Sequence, residues 1–173
     1  MDSRIDVGLE KSAVPAQNAI VAIDHIAIAV VDIGEAINWY VKCLGFKLVE
    51  ERTTTGERTA MLSAVLTAGE SVVVLVQGTS PESQVSRFIQ QYGPGVQHIA
   101  FRVENLQHTM SRALASGAAA DTSIIEGDRI RQLFLRRDSG SGVRVELIEK
   151  NGGAFSDTTV AQLFAEFENR DLV

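Results

Sequence analysis

Apolar positions along the chain follow two rhythms, and the order of those rhythms repeats. Ala22 to Val30 are short, apolar and often β-branched, which predicts a strand. Asp32 then has the character of a helix N-cap, with Glu35 three residues on completing a capping box. Ile33, Ala36, Ile37, Tyr40 and Leu44 follow at helical spacing, and Gly45 ends the run. Strands are expected over 46–53, 58–67 and 71–77, with "TTTGER" and "TAGE" as turns. A helix over about 82–92 opens at "SPES" and closes at Gly93–Gly95. The pattern then restarts. Val96–Val103 predicts a strand, Asn105–Ser116 a helix ending at Gly117, and 119–125, 130–136 and 143–149 three strands, the last two joined by "DSGSG". Val160, Leu163, Phe164 and Phe167, after a cap at Asp157, mark the apolar face of a final amphipathic helix.

The two runs are copies. "IDHIAIAV" and "VQHIAFRV" carry two of the three histidines, His25 and His98, 73 positions apart, and Asp32 maps onto Asn105 at the same offset. The expected fold class is α+β: two βαβββ modules in a curved mixed sheet around a metal pocket, with a C-terminal lid helix. Residues 1–20 read as a loose arm and 21–173 as one domain. Within it lie module one (about 22–78), a linker helix (82–92), module two (96–150) and the lid helix (157–169).

Strand alternation places His25 with Ala27 and Ala29 on one face, and His98 with Ala100 and Arg102 on the corresponding face. The bulky residues opposite would pack on each module's helix. The small alanines beside each histidine leave room for something that is not protein. Glu146, between Val145 and Leu147 on an apolar final strand, needs a partner if buried, and a metal shared with His25 and His98 supplies one. Glu149, on the opposite face near the strand end, is expected in solvent. His108 has no counterpart in the repeat and reads as a surface residue. Trp39 and Tyr40, at helical spacing, read as core.

Composition narrows the partners. A net charge of −6 argues against sequence-independent nucleic-acid binding, and no apolar run approaches the roughly 20 residues a membrane helix needs. With Cys43 as the only cysteine, no internal disulfide forms. A cytoplasmic location is expected, with Cys43 as a packing residue.

With these residues in view, the chain resembles the vicinal oxygen chelate superfamily over about residues 22–170. "SQVSRFIQQYGPGVQHIAF", "DHIAIAVVDIGEAINWYVKCLGF", "VELIEK" and "GGAFSDTTVAQLFAEFE" are similar to segments of the 4-hydroxyphenylpyruvate dioxygenase and hydroxymandelate synthase family. That resemblance implies His25, His98 and Glu146 as ligands of Fe(2+), with Co(2+), Mn(2+) or Zn(2+) as alternatives. It implies Ser63, Gln84 and Gln97 as substrate contacts, and Phe155 and Phe164 as pocket or lid residues. The partners implied are a small 2-oxo acid or related chelating substrate and O2, and a homodimer is the assembly many members adopt. "FLRRDSGSGVRVELIEK" is more similar to the short final hairpin of methylmalonyl-CoA epimerase, a metal-dependent isomerase. There Glu50 or Glu51 would be the base. That family uses a fourth protein ligand, and Val73 or Val74 stands at its place here. A small-molecule binding protein is the third reading. The dioxygenase family has a further amino-terminal half and a longer final hairpin, so its substrate need not carry over.

Overall fold

The computed structural model describes residues 20–152 and 156–173. Strand β1 (Ile20–Ala29) leads into helix α1 (Ile33–Leu44), then β2 (Lys47–Thr55), β3 (Ala60–Ala68) and β4 (Ser71–Gly78). Helix α2 (Gln84–Tyr92) crosses to β5 (Gly95–Val103), α3 (Leu106–Ala115), β6 (Ile125–Gly127), β7 (Ile130–Phe134) and β8 (Arg144–Lys150), and α4 (Asp157–Asn169) follows. One sheet takes all eight strands in the order β2-β3-β4-β1-β5-β8-β7-β6. It is curled into a half-barrel, and the fold is α+β. β1 pairs parallel with β4, and β5 with β8, while the modules meet through the antiparallel β1–β5 pair.

Each module buries its bulky strand face under its own helix. Ile28, Val30, Leu66, Val73 and Leu75 pack against Ile33, Ile37 and Tyr40 of α1. Phe101, Val103, Leu133 and Leu147 pack with Leu106 and Met110 of α3. The caps are local and sequence-encoded: Asp32 Oδ1 accepts the Glu35 amide and Asn105 Oδ1 the His108 amide, both at 2.8 Å. Gly45 ends α1 in the left-handed region, at φ 72°.

Helix α4 lies across the opposite, concave face and touches both edge strands, β2 and β6. Two glycines make its close approach possible. A Cβ at Gly127 would collide with Thr159, and one at Gly56 with Phe164 and Glu168. Phe164 and Phe167 are buried, each contributing about 1.5–3 kcal/mol of transfer free energy. Glu168 pins the C-terminal half: its carboxylate accepts the amides of Glu57 (2.9 Å) and Thr59 (2.8 Å) and the Thr59 hydroxyl (2.6 Å) at the β2–β3 turn. The half-barrel is thus closed by a helix.

Several expectations need correction. The strand expected over 119–125 is reduced to Ile125–Gly127 and an isolated Ala120–Leu135 bridge, because Asp121 and Thr122 turn to bond the β7–β8 edge instead. Ser156, not Asp157, caps α4, and Asp157 pairs with Arg52 at 2.8 Å. Trp39 is 52% exposed, since the α1 stripe that meets the sheet runs through Ile33, Ile37 and Tyr40 and leaves Trp39 outside it. Cys43 is exposed for the same reason. Glu149 is not in free solvent, because its Oε2 accepts the Leu106 amide at 2.8 Å. The expected arm falls outside the described residues except Ile20, which is already in β1.

Candidate metal centre

The antiparallel β1–β5 pair sets His25 opposite Ala100 and Ala27 opposite His98. Each histidine therefore faces an alanine across the ladder, and the two rings converge on the concave face. Glu146 arrives from β8, opposite Ala100. The His25 and His98 Nε2 atoms lie 3.3 Å apart, and Glu146 Oε2 is 3.4 Å and 3.3 Å from them. Such a triangle has its corners about 1.9 Å from its centre, close to the roughly 2.0–2.2 Å of a metal bond to imidazole or carboxylate. The three form the only His/Cys/Asp/Glu group with metal-ligand spacing found among the described residues.

The hydrogen bonds behind the two rings suit a cation at this point. The Nδ1 of His25 faces Asp24 Oδ1 at 3.0 Å, and that of His98 faces Gln97 Oε1. Both oxygens accept from an Nδ1–H, and in the neutral form of each ring that turns the Nε2 lone pair toward the centre. Glu146 is 1% exposed, and its Oε1 has no hydrogen-bond partner among the described residues. Burial pushes its carboxyl up to about 7, against the pull of His25 and Lys150. Burial, with Arg144 and Arg137 nearby, drives His98 down to about 3, so this imidazole stays a neutral donor near pH 7. A divalent cation fits the donor set, the geometry and the unpaired carboxylate oxygen.

Register also identifies the position that a fourth ligand would occupy. Ala27 pairs with Val74 as Ala100 pairs with Glu146, so Val74, rather than Val73, is the first module's counterpart of the glutamate. Val74 lines the chamber, whereas Val73 is buried on the α1 side.

A chamber of about 110 Å³ adjoins the triangle, walled by Ser63, Val65, Val74 and Val76 and roofed by Val160 and Leu163 of α4. A smaller one of about 60 Å³ continues past His98 to Gln84, Gln97, Phe134 and Phe164. Ser63 thus lines the first chamber and Gln84, Gln97 and Phe164 the second, with His98 in the wall of both, while Phe155 lies outside the described residues. Gln84 is buried with its Oε1 unpartnered among the described residues. His108 is exposed on α3, away from the site. Of the two candidate bases, Glu50 lines the chamber beside His25, and Glu51 points to the outer groove along α1.

Sequence reasoning missed four polar residues here. Arg52 lines the chamber and pairs with Glu50 and Asp157. Arg144 is buried, held by Asp121 at 2.9 Å and stacked on Phe167. Gln132 is fully buried, with both amide atoms unpartnered among the described residues, a costly arrangement. Alternation from Phe134 would have marked Gln132 as inward-facing. Asp24 had no such signal, for it occupies an irregularity in its strand.

A curled sheet of paired modules with a His-His-Glu triangle at its centre defines a superfamily rather than one activity. Residues 22–147 match the Glyoxalase/Bleomycin resistance protein/Dioxygenase superfamily, and the chain belongs to it. Over 119 residues it is 29% identical to 4-hydroxyphenylpyruvate dioxygenase of Caenorhabditis elegans, a match covering 68% of this chain and 30% of that protein. Methylmalonyl-CoA epimerase from Mycobacterium tuberculosis superposes with a TM-score of 0.63 at 29% identity, over 74% of this chain and 87% of that one. A mutant of 4-hydroxymandelate synthase from Streptomyces coelicolor gives a TM-score of 0.78 over 87% of this chain and 55% of that one. At 18% identity that likeness shows the fold alone.

Proposed function

We propose that His25, His98 and Glu146 hold Fe(2+), and that the protein is a non-haem dioxygenase for a small 2-oxo acid or related chelating substrate. The observation that carries this reading is the three-cornered ligand set with Val74 at the fourth position. Two imidazoles and one carboxylate leave neighbouring positions open for a bidentate substrate and dioxygen. When bound, ferrous iron would supply substrate chelation and electrons for dioxygen. The chain does the rest. Val74 keeps the facing side of the site free of protein ligands. Ser63, Gln84 and Gln97 offer polar groups to orient substrate. Val160 and Leu163 roof the chamber and exclude water. A chamber of about 110 Å³ suits a small substrate.

A second reading has its own support. Glu50 lines the chamber beside His25, where a carboxylate can move an α-proton while the metal stabilises an enolate, as an epimerase requires. Anaerobic loading with Fe(2+), then oxygen uptake and carbon dioxide release on a panel of 2-oxo acids, separates the two. Coupled uptake and decarboxylation is the expected result. Solvent deuterium entering an α-position without oxygen uptake would replace the dioxygenase reading with the epimerase one. Ligand binding without metal or turnover would replace both with a binding protein.

A further inference from the structure

The duplicated strands carry a matching flaw. In the β1–β5 ladder Ile23 pairs with Phe101 and His25 with Ala100, so Asp24 is an extra residue. Further along, His98 pairs with Ala27 and Val96 with Ile28, so Gln97 is the extra residue on the other strand. Both of these bulges fall just before a histidine, unlike a third irregularity at Val21 near the strand start. A bulge re-aims the side chain it carries, and here each one turns back onto the ring that follows it. Asp24 Oδ1 and Gln97 Oε1 take up the two Nδ1 atoms.

What stands behind the two rings is not equal. Asp24 is a carboxylate, gripped at 2.6 Å by Lys150 Nζ at the end of β8, the strand that bears Glu146. Gln97 is a neutral amide. A carboxylate accepting Nδ1–H raises the electron density at Nε2, and an amide does so less. We propose that Asp24, anchored by Lys150, is a positioning residue that makes His25 the stronger imidazole ligand, and that Gln97 leaves His98 the weaker one. This rests on the reading that the triangle binds a divalent ion. A site with one firm and one yielding imidazole can adjust on the His98 side, which faces the chamber containing Gln84 and Phe134.

The test uses cobalt(II) chloride and the full chain. Wild-type protein should show two strongly shifted, exchangeable Nδ1–H proton resonances when loaded. Asp24→Ala should lose one of them to solvent exchange and weaken cobalt binding about 10–100-fold. Asp24→Asn, which keeps an acceptor, should retain both resonances with a smaller loss of affinity. Combining it with Gln97→Glu should recover affinity by moving the charge to the other ring. Lys150→Met should weaken binding without removing either resonance. Thermal melts of the metal-free variants would show whether each folds, and Asp24→Asn and Lys150→Met carry the test if Asp24→Ala does not. Unchanged affinity and resonances in all variants would overturn this inference alone. A wild-type protein that takes up no cobalt would overturn the metal reading and this inference with it.

Discussion

Strand β4 of the first module and β8 of the second meet their neighbours in the same register, yet one presents Val74 where the other presents Glu146. The backbone repeats and the ligands do not. Two modules each supply a histidine, and only one supplies a carboxylate. A fully symmetric pair would surround an ion with four protein donors and leave little room for exchangeable ones. A valine in place of one donor keeps the scaffold and would leave one side of a bound ion open. The division of labour is therefore set by a single side chain at an equivalent lattice point, not by a change of fold.

The largest effect tests whether both modules contribute. His25→Ala and His98→Ala should each abolish cobalt uptake, measured as metal retained per chain after gel filtration, while His108→Ala should retain the wild-type amount. Loss from only one of the first two would make the site a one-module affair.

Next comes the asymmetry itself. Val74→Glu restores the missing donor. Without metal it sets a second carboxylate facing Glu146, costing on the order of 3 kcal/mol. Cobalt should recover that loss, so the melting temperature should respond to metal far more than in the wild type. Oxygen uptake should disappear, because the fourth donor occupies the open side. A variant whose metal response matched the wild type would show that Val74 does not face the ion.

The modules and their helices were legible in the sequence because the hydrophobic periods and caps are local. His25 and His98 could be singled out because a repeat made their positions comparable, and Glu146 because it interrupts an apolar final strand. The α4 stripe of Val160, Leu163, Phe164 and Phe167 marked a helix that must dock, while its place over the chamber was implied only by the family resemblance. Asp24 and Gln97 as ring clamps were not, because a bulge breaks the two-residue alternation on which the face assignment depends. Arg52 and Arg144 were hidden too, since their partners Asp157 and Asp121 lie far off along the chain. Trp39 misled because helical spacing identifies a stripe but not its edges.

A smaller effect compares the two seats of α4. Both seats rest on a glycine, Gly127 under Thr159 on module two and Gly56 under Phe164 on module one, but only module one adds a carboxylate, Glu168, accepting from the turn at Glu57–Thr59. Burial alone would raise the Glu168 carboxyl, but the Thr59 hydroxyl and the amides of Glu57, Thr59 and Arg58 outweigh it and hold it below the ordinary carboxylate range. A depressed carboxyl stabilises the fold above its unfolded pKa, and that contribution fades as pH falls through the folded value. Stability measured by urea unfolding should therefore drop below about pH 4, near the unfolded carboxylate range. Glu168→Gln should cost about 1.5–3 kcal/mol at neutral pH and flatten that drop. An equally steep acid limb in the variant would assign the loss to other carboxylates.

The finest comparison lies at the helix starts. The Ile33 amide donates to Gln77 Oε1 and the Leu106 amide to Glu149 Oε2, both at 2.8 Å. Gln77 and Glu149 hold the same place in their modules, three residues beyond Val74 and Glu146. Module one thus gives its helix an anionic cap, Asp32, and a neutral strand partner. Module two gives a neutral cap, Asn105, and an anionic strand partner. Each helix N-terminus has one carboxylate bonded to its first amides, by opposite routes, as its partial positive charge favours. Asp32→Asn and Glu149→Gln should each cost about 0.3–1 kcal/mol by urea unfolding at low salt. Adding Asn105→Asp to Glu149→Gln should return most of that loss, since the charge reappears at the same helix end. If the double variant stays as unstable as Glu149→Gln alone, the carboxylate matters through Arg131, its ion-pair partner at 3.7 Å, rather than through the helix.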